Sequence, residues 1–315
     1  MGRLIARRLL LLLPTLLLLS VVVFLMLEVV PGDPGRVKLG PYAPASAVAQ
    51  YDHQIGVDRP LPERYVRWLG GFVVLHWGTS WNQGVPVFSL TMRRLWASVQ
   101  LALVALLIII PLAVVLGVTA ALRRDGLADR IITVVSLSLT VVPEFVSGVV
   151  LTVLFVVFLK VFHFPANPPP GSGPLTRLHY LLLPAIPLMF VEMGYIARMA
   201  RAGMIEALSM PYIRTATLNG LPRRRVVYGH ALRNAMAPTV AVIGTQIGWL
   251  VGGLVIVEKL FVYPGIGYLV YSSATYKDFP TLEATVLVVA VIYMLSNLGA
   301  DVVVALLNPR VRYGR

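Results

Sequence analysis

None of the residue patterns that usually carry covalent chemistry occurs in this chain. Its four lysines, none of which follows a glycine, are Lys38, Lys160, Lys259 and Lys277. A phosphate-binding loop needs a glycine-rich turn that ends in Gly-Lys-Ser/Thr, so the chain is not expected to hydrolyse ATP. Its five histidines show no H-E-x-x-H pairing, and it has neither a G-x-S-x-G elbow nor a cysteine. The sequence therefore predicts a protein that is not an enzyme, with no catalytic, cofactor-binding or metal-binding residue.

Two acidic side chains lie deep inside long apolar runs. Glu144 is near the middle of the third run, and Glu192 is about eight residues, or ~12 Å of helix, before the end of the fourth. Ionised groups at such depth are costly in lipid, so both should face a helix interface or water. One hypothesis is that they line a translocation path, together with Gln246 and Trp249 of the fifth run, and attract the cationic end of a substrate. The alternative is that all four serve helix packing, with the acids paired or protonated there.

The composition is that of a membrane protein. Hydrophobic residues make up 57% of the 315 residues and charged residues 13%, with a mean hydropathy of +0.80; soluble domains are about a quarter charged. Runs of about 20 apolar residues match the hydrocarbon thickness of a bilayer. The predicted spans are residues 9–30, 97–122, 131–159, 180–200, 235–257 and 282–307. We therefore expect an all-α polytopic membrane protein whose first span is not a cleaved signal peptide.

The arginines indicate an orientation. Of the 27 Lys and Arg residues, 16 fall in the tails and loops on the side of both termini and 11 on the other side, which predicts cytoplasmic termini. The net charge of +13 is then explained by arginines in the loops beside the spans, and nucleic acid is not an expected partner. The predicted regions are an N-tail with the first span (1–30), an extracytoplasmic loop (31–96) and a five-helix core (97–315). The loop should contain a helix over 59–75 and interfacial tryptophans, either as a lid over the helix ends or as a ligand site.

The segment 204–238 is long, basic and structured. Its pattern predicts a helix over 205–217 with Glu206 in the first turns, a stop at Gly220-Leu221-Pro222, and a second helix that starts at Arg223. Such a hairpin could offer Tyr212, Ile213 and Arg214 at its tip to a groove on a partner. Contact with anionic lipid is the alternative.

Another segment, Pro264-Gly265-Ile266-Gly267, should not remain helical. We expect it to form a bent external connector, and we take Pro264, Gly265 and Gly267 as candidates for a gate over the path.

With these features in view, the chain resembles the integral membrane permeases of ABC importers, in the dipeptide/oligopeptide/nickel branch and of the first-permease, B type. The resemblance covers essentially the whole chain, including IGVDRPLPERYVRWLGG at 55–71, YIRTATLNGL and HALRNAMAP in the basic segment, and GGLVIVEKLFVYPGIGYL at 252–269. Arg214-Thr215-Ala216 occupy the positions of the E-A-A motif found in the wider importer group. Thr217-Leu218-Asn219 depart from the more typical Arg-Ala-Lys.

The resemblance implies that residues 201–234 form a coupling loop for a cytoplasmic ATP-binding subunit. The implied coupling residues are Glu206, Tyr212, Ile213, Arg214, Thr215, Ala216, Gly220, Leu221 and Arg223. It further implies one or two ATP-binding subunits, which hold ATP and Mg²⁺. The other implied partners are a second homologous permease, an extracytoplasmic substrate-binding protein and membrane lipid. The expected activity is import of di- or oligopeptides across a bacterial or archaeal cytoplasmic membrane, with nickel complexes or oligosaccharides as alternative substrates. A nucleotide-independent channel or secondary carrier is the alternative of another class.

Overall fold

The computed structural model describes the backbone of residues 2–29, 34–56 and 58–307. Side chains are described within these ranges except at 2–9, 27–29, 34, 248, 249, 251–253, 300 and 304–307. The helix is the dominant secondary structure of the described part, which contains no strand; Thr79 and Pro86 form one isolated bridge.

Thirteen helices are described. They are α1 (Gly2–Val29), α2 (Pro34–Leu39), α3 (Ala45–Ile55), α4 (Leu61–Val73), α5 (Val87–Leu122), α6 (Leu127–Val141), α7 (Glu144–Thr152), α8 (Pro174–Ser209), α9 (Pro211–Leu218), α10 (Arg223–Arg225), α11 (Leu232–Leu260), α12 (Ile266–Thr275) and α13 (Phe279–Leu307). Two π-helical turns, Val153–Phe158 and Val226–Ala231, extend α7 and join α10 to α11.

All six predicted apolar runs fall on helices, and the all-α polytopic membrane fold is confirmed. Among the described residues, three helices are long and apolar enough to cross a bilayer: Val87–Leu122, Pro174–Ser209 and Phe279–Val303. Leu10–Met26 of α1 is a shorter apolar helix.

The third run is not one straight helix, contrary to expectation. α6 and the helix that begins at Glu144 are bent by 98° with respect to each other. Pro143 causes the break, because proline lacks an N–H and forces the preceding residue out of the helical region; Val142 has ψ 121. Glu144 therefore lies at the N-terminus of α7 and not in the middle of a continuous span.

The helices form two compact units, each assembled from segments that are separate in the sequence. Unit 1 comprises Met1–Ile5, Val99–Tyr263 and Tyr293–Arg315, and unit 2 comprises Ala6–Ser98 and Pro264–Ile292. In unit 1, α8 packs against α6, α7 and α11. Buried residues, most of them apolar, occur on nearly all sides of α8 between Leu181 and Ala207, so α8 is the central helix of this unit.

In unit 2, a buried carboxylate holds a loop onto the start of α13. Asp278 is 2% exposed. It accepts hydrogen bonds from the Ser80 hydroxyl at 2.5 Å, the Trp81 backbone N–H at 2.9 Å and the Thr281 hydroxyl at 2.9 Å. A buried charge needs such donors to offset its lost hydration. The loop around Ser80 is thereby fixed against the N-terminus of α13.

Two predictions in unit 2 have different outcomes. The helix expected over 59–75 is present as α4. The segment Pro264–Gly267 is only partly a connector: Gly265 is the extended N-cap residue of α12, whereas Ile266 and Gly267 belong to that helix. The Ile266 N–H donates to the Ser98 hydroxyl at 2.7 Å. The expectation that Gly267 lies in a non-helical connector is therefore wrong, because a side-chain acceptor caps a new helix there.

Candidate functional site: the hairpin of residues 204–238

The hairpin, residues 204–238, begins within α8 and ends within α11. The expected helix over 205–217 is wrong: α8 continues through Glu206 to Ser209, and α9 starts afresh at Pro211. Met210 is extended (φ −71, ψ 146), since the proline that follows it disfavours the helical region. Glu206 consequently lies exposed in the last turn of α8, not in the first turns of a new helix.

The stop predicted at Gly220 is present as a Schellman motif, in which a left-handed residue ends a helix. Gly220 has φ +74. The Leu221 N–H donates to the Ala216 carbonyl at 3.2 Å, and the Gly220 N–H donates to the Thr217 carbonyl at 3.0 Å. The two bonds satisfy carbonyls that α9 would otherwise leave without partners and reverse the chain towards α10.

We expect Gly220→Ala to destabilise the hairpin by about 1 kcal/mol, because an L-residue is strained in the left-handed region. No atom lies within 4 Å of the position that a Cβ would occupy, so the backbone conformation alone should set the cost. Hydrogen exchange of α9 amides in the assembled complex measures the effect. Gly220→Asn, which tolerates this conformation better, should recover part of the loss; equal exchange in wild type and Gly220→Ala would contradict the prediction.

One face of α9 is buried in a core of its own. Ile213 and Ala216 are 7% and 9% exposed. They belong to an apolar cluster with Val118 and Ala121 of α5, Met204 and Ala207 of α8, and Val226, Val227, Ala231 and Ala235 on the returning arm. The expectation that the tip offers Ile213 to a partner is wrong, since this side chain packs inward. Ile213 and Ala216 anchor α9 to the membrane helices.

The opposite face of α9 is exposed. Tyr212 is 39% exposed and Leu218 77%, while Arg214 and Thr215 are also exposed. Leu218 was not among the predicted site residues. Its spacing of four from Arg214 places both on one helical face, which is the signal that could have identified it.

The returning arm adds charge and fixes the tip. Gly220 and Arg223 are exposed, and Leu221 is half-buried. The Asn234 side-chain amide donates to the Tyr212 hydroxyl at 3.0 Å, which ties α9 to α11. Residues 204–238 contain five arginines and one glutamate. The hairpin is thus basic as a whole and presents a short helix with exposed aromatic and apolar side chains on a packed support, a geometry suited to a groove on another protein.

The candidate path residues are partly brought together in unit 1. Glu192 on α8 is 3% exposed and hydrogen-bonds the Gln246 side chain of α11, with Glu144 close enough to interact with it electrostatically. The other carboxylate oxygen of Glu192, Oε2, has no hydrogen-bond partner among the described residues. Glu144 is half-buried at the N-terminus of α7, where the helix dipole favours a negative charge. The side chain of Trp249 lies outside the described residues, and the role of all four in a path stays a prediction.

A buried ion pair in unit 1 was not identified from the sequence. Arg201 of α8 donates to both carboxylate oxygens of Asp129, from Nε at 2.6 Å and from a terminal nitrogen at 2.7 Å. Asp129 is 3% exposed and also accepts the Asp125 backbone N–H at 3.0 Å. The pair joins the first turn of α6 to α8 two turns before the hairpin begins to turn at Met210, so it fixes the base of the hairpin.

Comparison with known proteins relates the whole chain to transport permeases. The family model "Binding-protein-dependent transport system inner membrane component" matches residues 113–313, and the N-terminal model of the same system matches residues 1–102. The chain is 33% identical to a probable peptide ABC transporter permease, y4tP, of Sinorhizobium fredii, over 99% of this chain and 100% of the relative. It is 33% identical to the oligopeptide transport system permease AppB of Bacillus subtilis, over 99% and 100%.

Two further comparisons agree with these. The glutathione transport system permease GsiC of Escherichia coli is 34% identical, over 98% of both chains. A chain of the MetNI methionine ABC transporter, solved in inward-facing conformations, superposes with a TM-score of 0.56 at 16% identity, over 71% of this chain and 98% of that chain; this likeness concerns the fold alone. The chain therefore belongs to the family of binding-protein-dependent transport system inner membrane components, the multi-pass inner-membrane permeases of ABC importers.

Proposed function

We propose that this chain is one permease subunit of an ATP-driven importer that moves di- and oligopeptides across the cytoplasmic membrane. The observation that carries the proposal is the full-length similarity to permeases named for peptide, oligopeptide and glutathione transport. Glutathione is itself a short peptide, so the three names share one substrate chemistry. Nickel complexes and oligosaccharides are the alternative cargoes within the same architecture.

The hairpin is the proposed contact with a cytoplasmic ATP-binding subunit, which would hold ATP and Mg²⁺. Tyr212, Arg214 and Leu218 form an exposed face, while Ile213 and Ala216 fix the other face to α5 and α8. A push on α9 would therefore pass directly into the ends of two long apolar helices. A flexible loop would absorb such a push, whereas a packed core transmits it.

The remaining partners and the topology follow from the same proposal. A second homologous permease would complete the path, and an extracytoplasmic substrate-binding protein would deliver the peptide. Both termini and the hairpin would be cytoplasmic. Residues 1–30 would form the N-terminal tail and the first span, residues 31–96 the extracytoplasmic loop, and residues 97–315 the core. Glu144, Glu192, Gln246 and Trp249 remain the proposed path residues, with Pro264, Gly265 and Gly267 beside an external gate.

Uptake into proteoliposomes tests the function. The complete complex is reconstituted with ATP inside the vesicles and the substrate-binding protein outside, and the uptake of a labelled tripeptide is compared with that of a nickel complex and an oligosaccharide. We expect ATP-dependent accumulation of the tripeptide. Equal uptake with and without ATP would indicate a channel or carrier, and accumulation of only the nickel complex or the oligosaccharide would overturn the peptide assignment.

Reversing one charge on the hairpin tests the coupling contact. We expect Arg214→Glu to weaken binding of the ATP-binding subunit by about thirtyfold and to lower ATP-driven uptake with it, since an interface arginine that is a hot spot contributes about 2 kcal/mol or more to binding. Arg123→Glu makes the same charge change at an exposed position outside the hairpin and serves as the control. Loss of uptake with unchanged binding of the ATP-binding subunit, measured by co-purification, would argue against Arg214 as part of the contact.

A further inference from the structure

Unit 2 contains a cavity of about 650 Å³. Its lining combines the C-terminal part of α1, the end of α3, the helix α4, the connector that follows α4, and the first turns of α13. The volume lies within the range of small-molecule sites in proteins. None of the residues considered for the hairpin or the path lines it. The cavity is therefore separate from both of those candidate sites.

Phe24 and Phe279, which we call the floor of the cavity, belong to helices of membrane-span character. Phe24 belongs to the apolar helix Leu10–Met26, and Phe279 is the first residue of the apolar helix Phe279–Val303. Because both residues lie near an end of such a helix, we expect them close to the level at which a span meets the headgroup layer. α4 contains no buried residue and exposes Leu61, Val66 and Val73, as expected of an amphipathic helix that lies in the plane of the interface.

Arginines from the α4 segment line the same cavity. Arg59, Arg64 and Arg67 all contribute, and Glu283 contributes from α13. Arg59 and Arg67 each donate one N–H to the same oxygen of Glu63, at 2.9 and 3.2 Å. A guanidinium carries five N–H donors, and three guanidiniums outnumber the two carboxylates. The site is therefore net positive and well supplied with donors for a phosphate group.

Aromatic side chains line the cavity as well. Trp68 packs against Phe24 with ring centroids 5.7 Å apart, and Trp77 stacks on Phe72 at 4.9 Å. Trp81 also lines the cavity. Tryptophan is enriched at the headgroup level of membranes because its ring is apolar and its N–H is polar. The cavity thus combines cationic donors, an aromatic wall and an apolar floor at span depth.

We propose that this cavity binds the phosphate headgroup of an anionic phospholipid, with the three arginines holding the phosphate and the acyl chains lying along the floor. The carboxylate of a peptide would also satisfy the arginines. The lipid is favoured because Phe24 and Phe279 belong to membrane-depth helices, which places the floor next to acyl chains. The bound lipid would fix α4 against α1 and α13.

Fluorescence quenching by brominated lipid tests the proposal, since three of the five tryptophans, Trp68, Trp77 and Trp81, line the cavity. The complete complex is placed in nanodiscs of unlabelled phosphatidylcholine doped with brominated phosphatidylglycerol or brominated phosphatidylcholine. We expect an apparent preference of about tenfold for phosphatidylglycerol, given that a basic residue near a membrane surface is worth about fivefold and that acidic neighbours offset part of it. Equal quenching by the two lipids in the wild-type complex would overturn the proposal without any variant.

Two matched triple variants locate the effect. Changing Arg59, Arg64 and Arg67 to Gln should abolish the preference, whereas changing the exposed Arg123, Arg124 and Arg130 of the α5–α6 segment to Gln should leave it unchanged. A preference that survives the first variant would place the lipid elsewhere. Relief of quenching by soluble glycerol 3-phosphate would indicate a free phosphate site, and relief by a tripeptide a peptide site; either result would overturn the assignment to lipid.

Discussion

Replacing Asp129 by Asn is expected to lower the free energy of unfolding by about 3 kcal/mol, because removal of one partner from a buried ion pair leaves the other charge without compensation. Arg201 donates to both carboxylate oxygens of Asp129 at 2.6 and 2.7 Å. The arginine side chain is 30% exposed and the aspartate 5%. Partial access of water to the guanidinium places the expected cost at the lower end of the range for such pairs. Thermal and denaturant unfolding of the detergent-solubilised complex measures it.

The chain supplies a closely matched control for this change. Asp125 is four residues away and pairs with Arg124 at 3.5 Å, with side-chain exposures of 81% and 62%. Exposed pairs contribute about 0–1 kcal/mol, so Asp125→Asn should change stability little. Replacing both members of the buried pair, as Asp129→Leu with Arg201→Met, should recover most of the loss, since no charge is then left unpaired. Equal destabilisation by Asp129→Asn and Asp125→Asn would show that the buried pair does not stabilise unit 1.

The sequence was sufficient for most of the long apolar helices and for the family, because these depend on local or full-length patterns. Apolar runs of span length predicted the membrane helices, and Gly220 predicted the end of α9. The prediction of one continuous span over the third run was wrong because Val141 and Val142 keep the sequence apolar up to Pro143. A hydropathy pattern does not reveal the 98° bend that the proline introduces. The position of Glu144 was misplaced for the same reason.

The positions of individual side chains depend on tertiary contacts and were therefore harder to predict from the sequence. Ile213 was expected at a partner surface because it lies between Tyr212 and Arg214 at the tip of the expected hairpin. Helical spacing from Ile213 to Ala216 could have indicated a buried face, but the residues that cover it come from α5 and from beyond the turn. Asp129 and Arg201 are 72 residues apart, and no local pattern joins them.

The Asp129–Arg201 pair and the apolar cluster around Ile213 together link α9 to three membrane helices. The pair holds α6 to α8, and the cluster around Ile213 holds α9 to α5 and α8. A displacement of α9 would therefore move α5, α6 and α8 together. Loss of the cluster would let α9 move alone, whereas loss of the pair would weaken only the attachment of α6 to α8. This arrangement predicts that the close contact between α8 and α11, the two arms of the hairpin, matters as much as the residues that contact a partner.

Introducing a side chain at Gly203 is expected to separate these arms. A Cβ at this position would lie 2.5 Å from the Ala235 carbonyl oxygen and 3.3 Å from Cγ of Pro238. The first of these atoms is backbone, so α8 and α11 must move apart to accommodate it. We expect Gly203→Val to destabilise unit 1 by about 3 kcal/mol, at the upper end of the range for overpacked sites. ATP-driven uptake should fall more than ATP hydrolysis, because the hairpin would still be present but its base would be displaced.

Gly299 is the matched control for this substitution. It lies in the helix α13, and no atom is found within 4 Å of the position that its Cβ would occupy. Gly299→Val makes the same change of helix propensity, a few tenths of a kcal/mol at most, without the steric conflict. Comparing unfolding and the ratio of uptake to ATP hydrolysis in the two variants separates packing from propensity. If Gly203→Val and Gly299→Val gave the same ratio, the close approach of α8 and α11 would have no part in transmitting the motion of the hairpin.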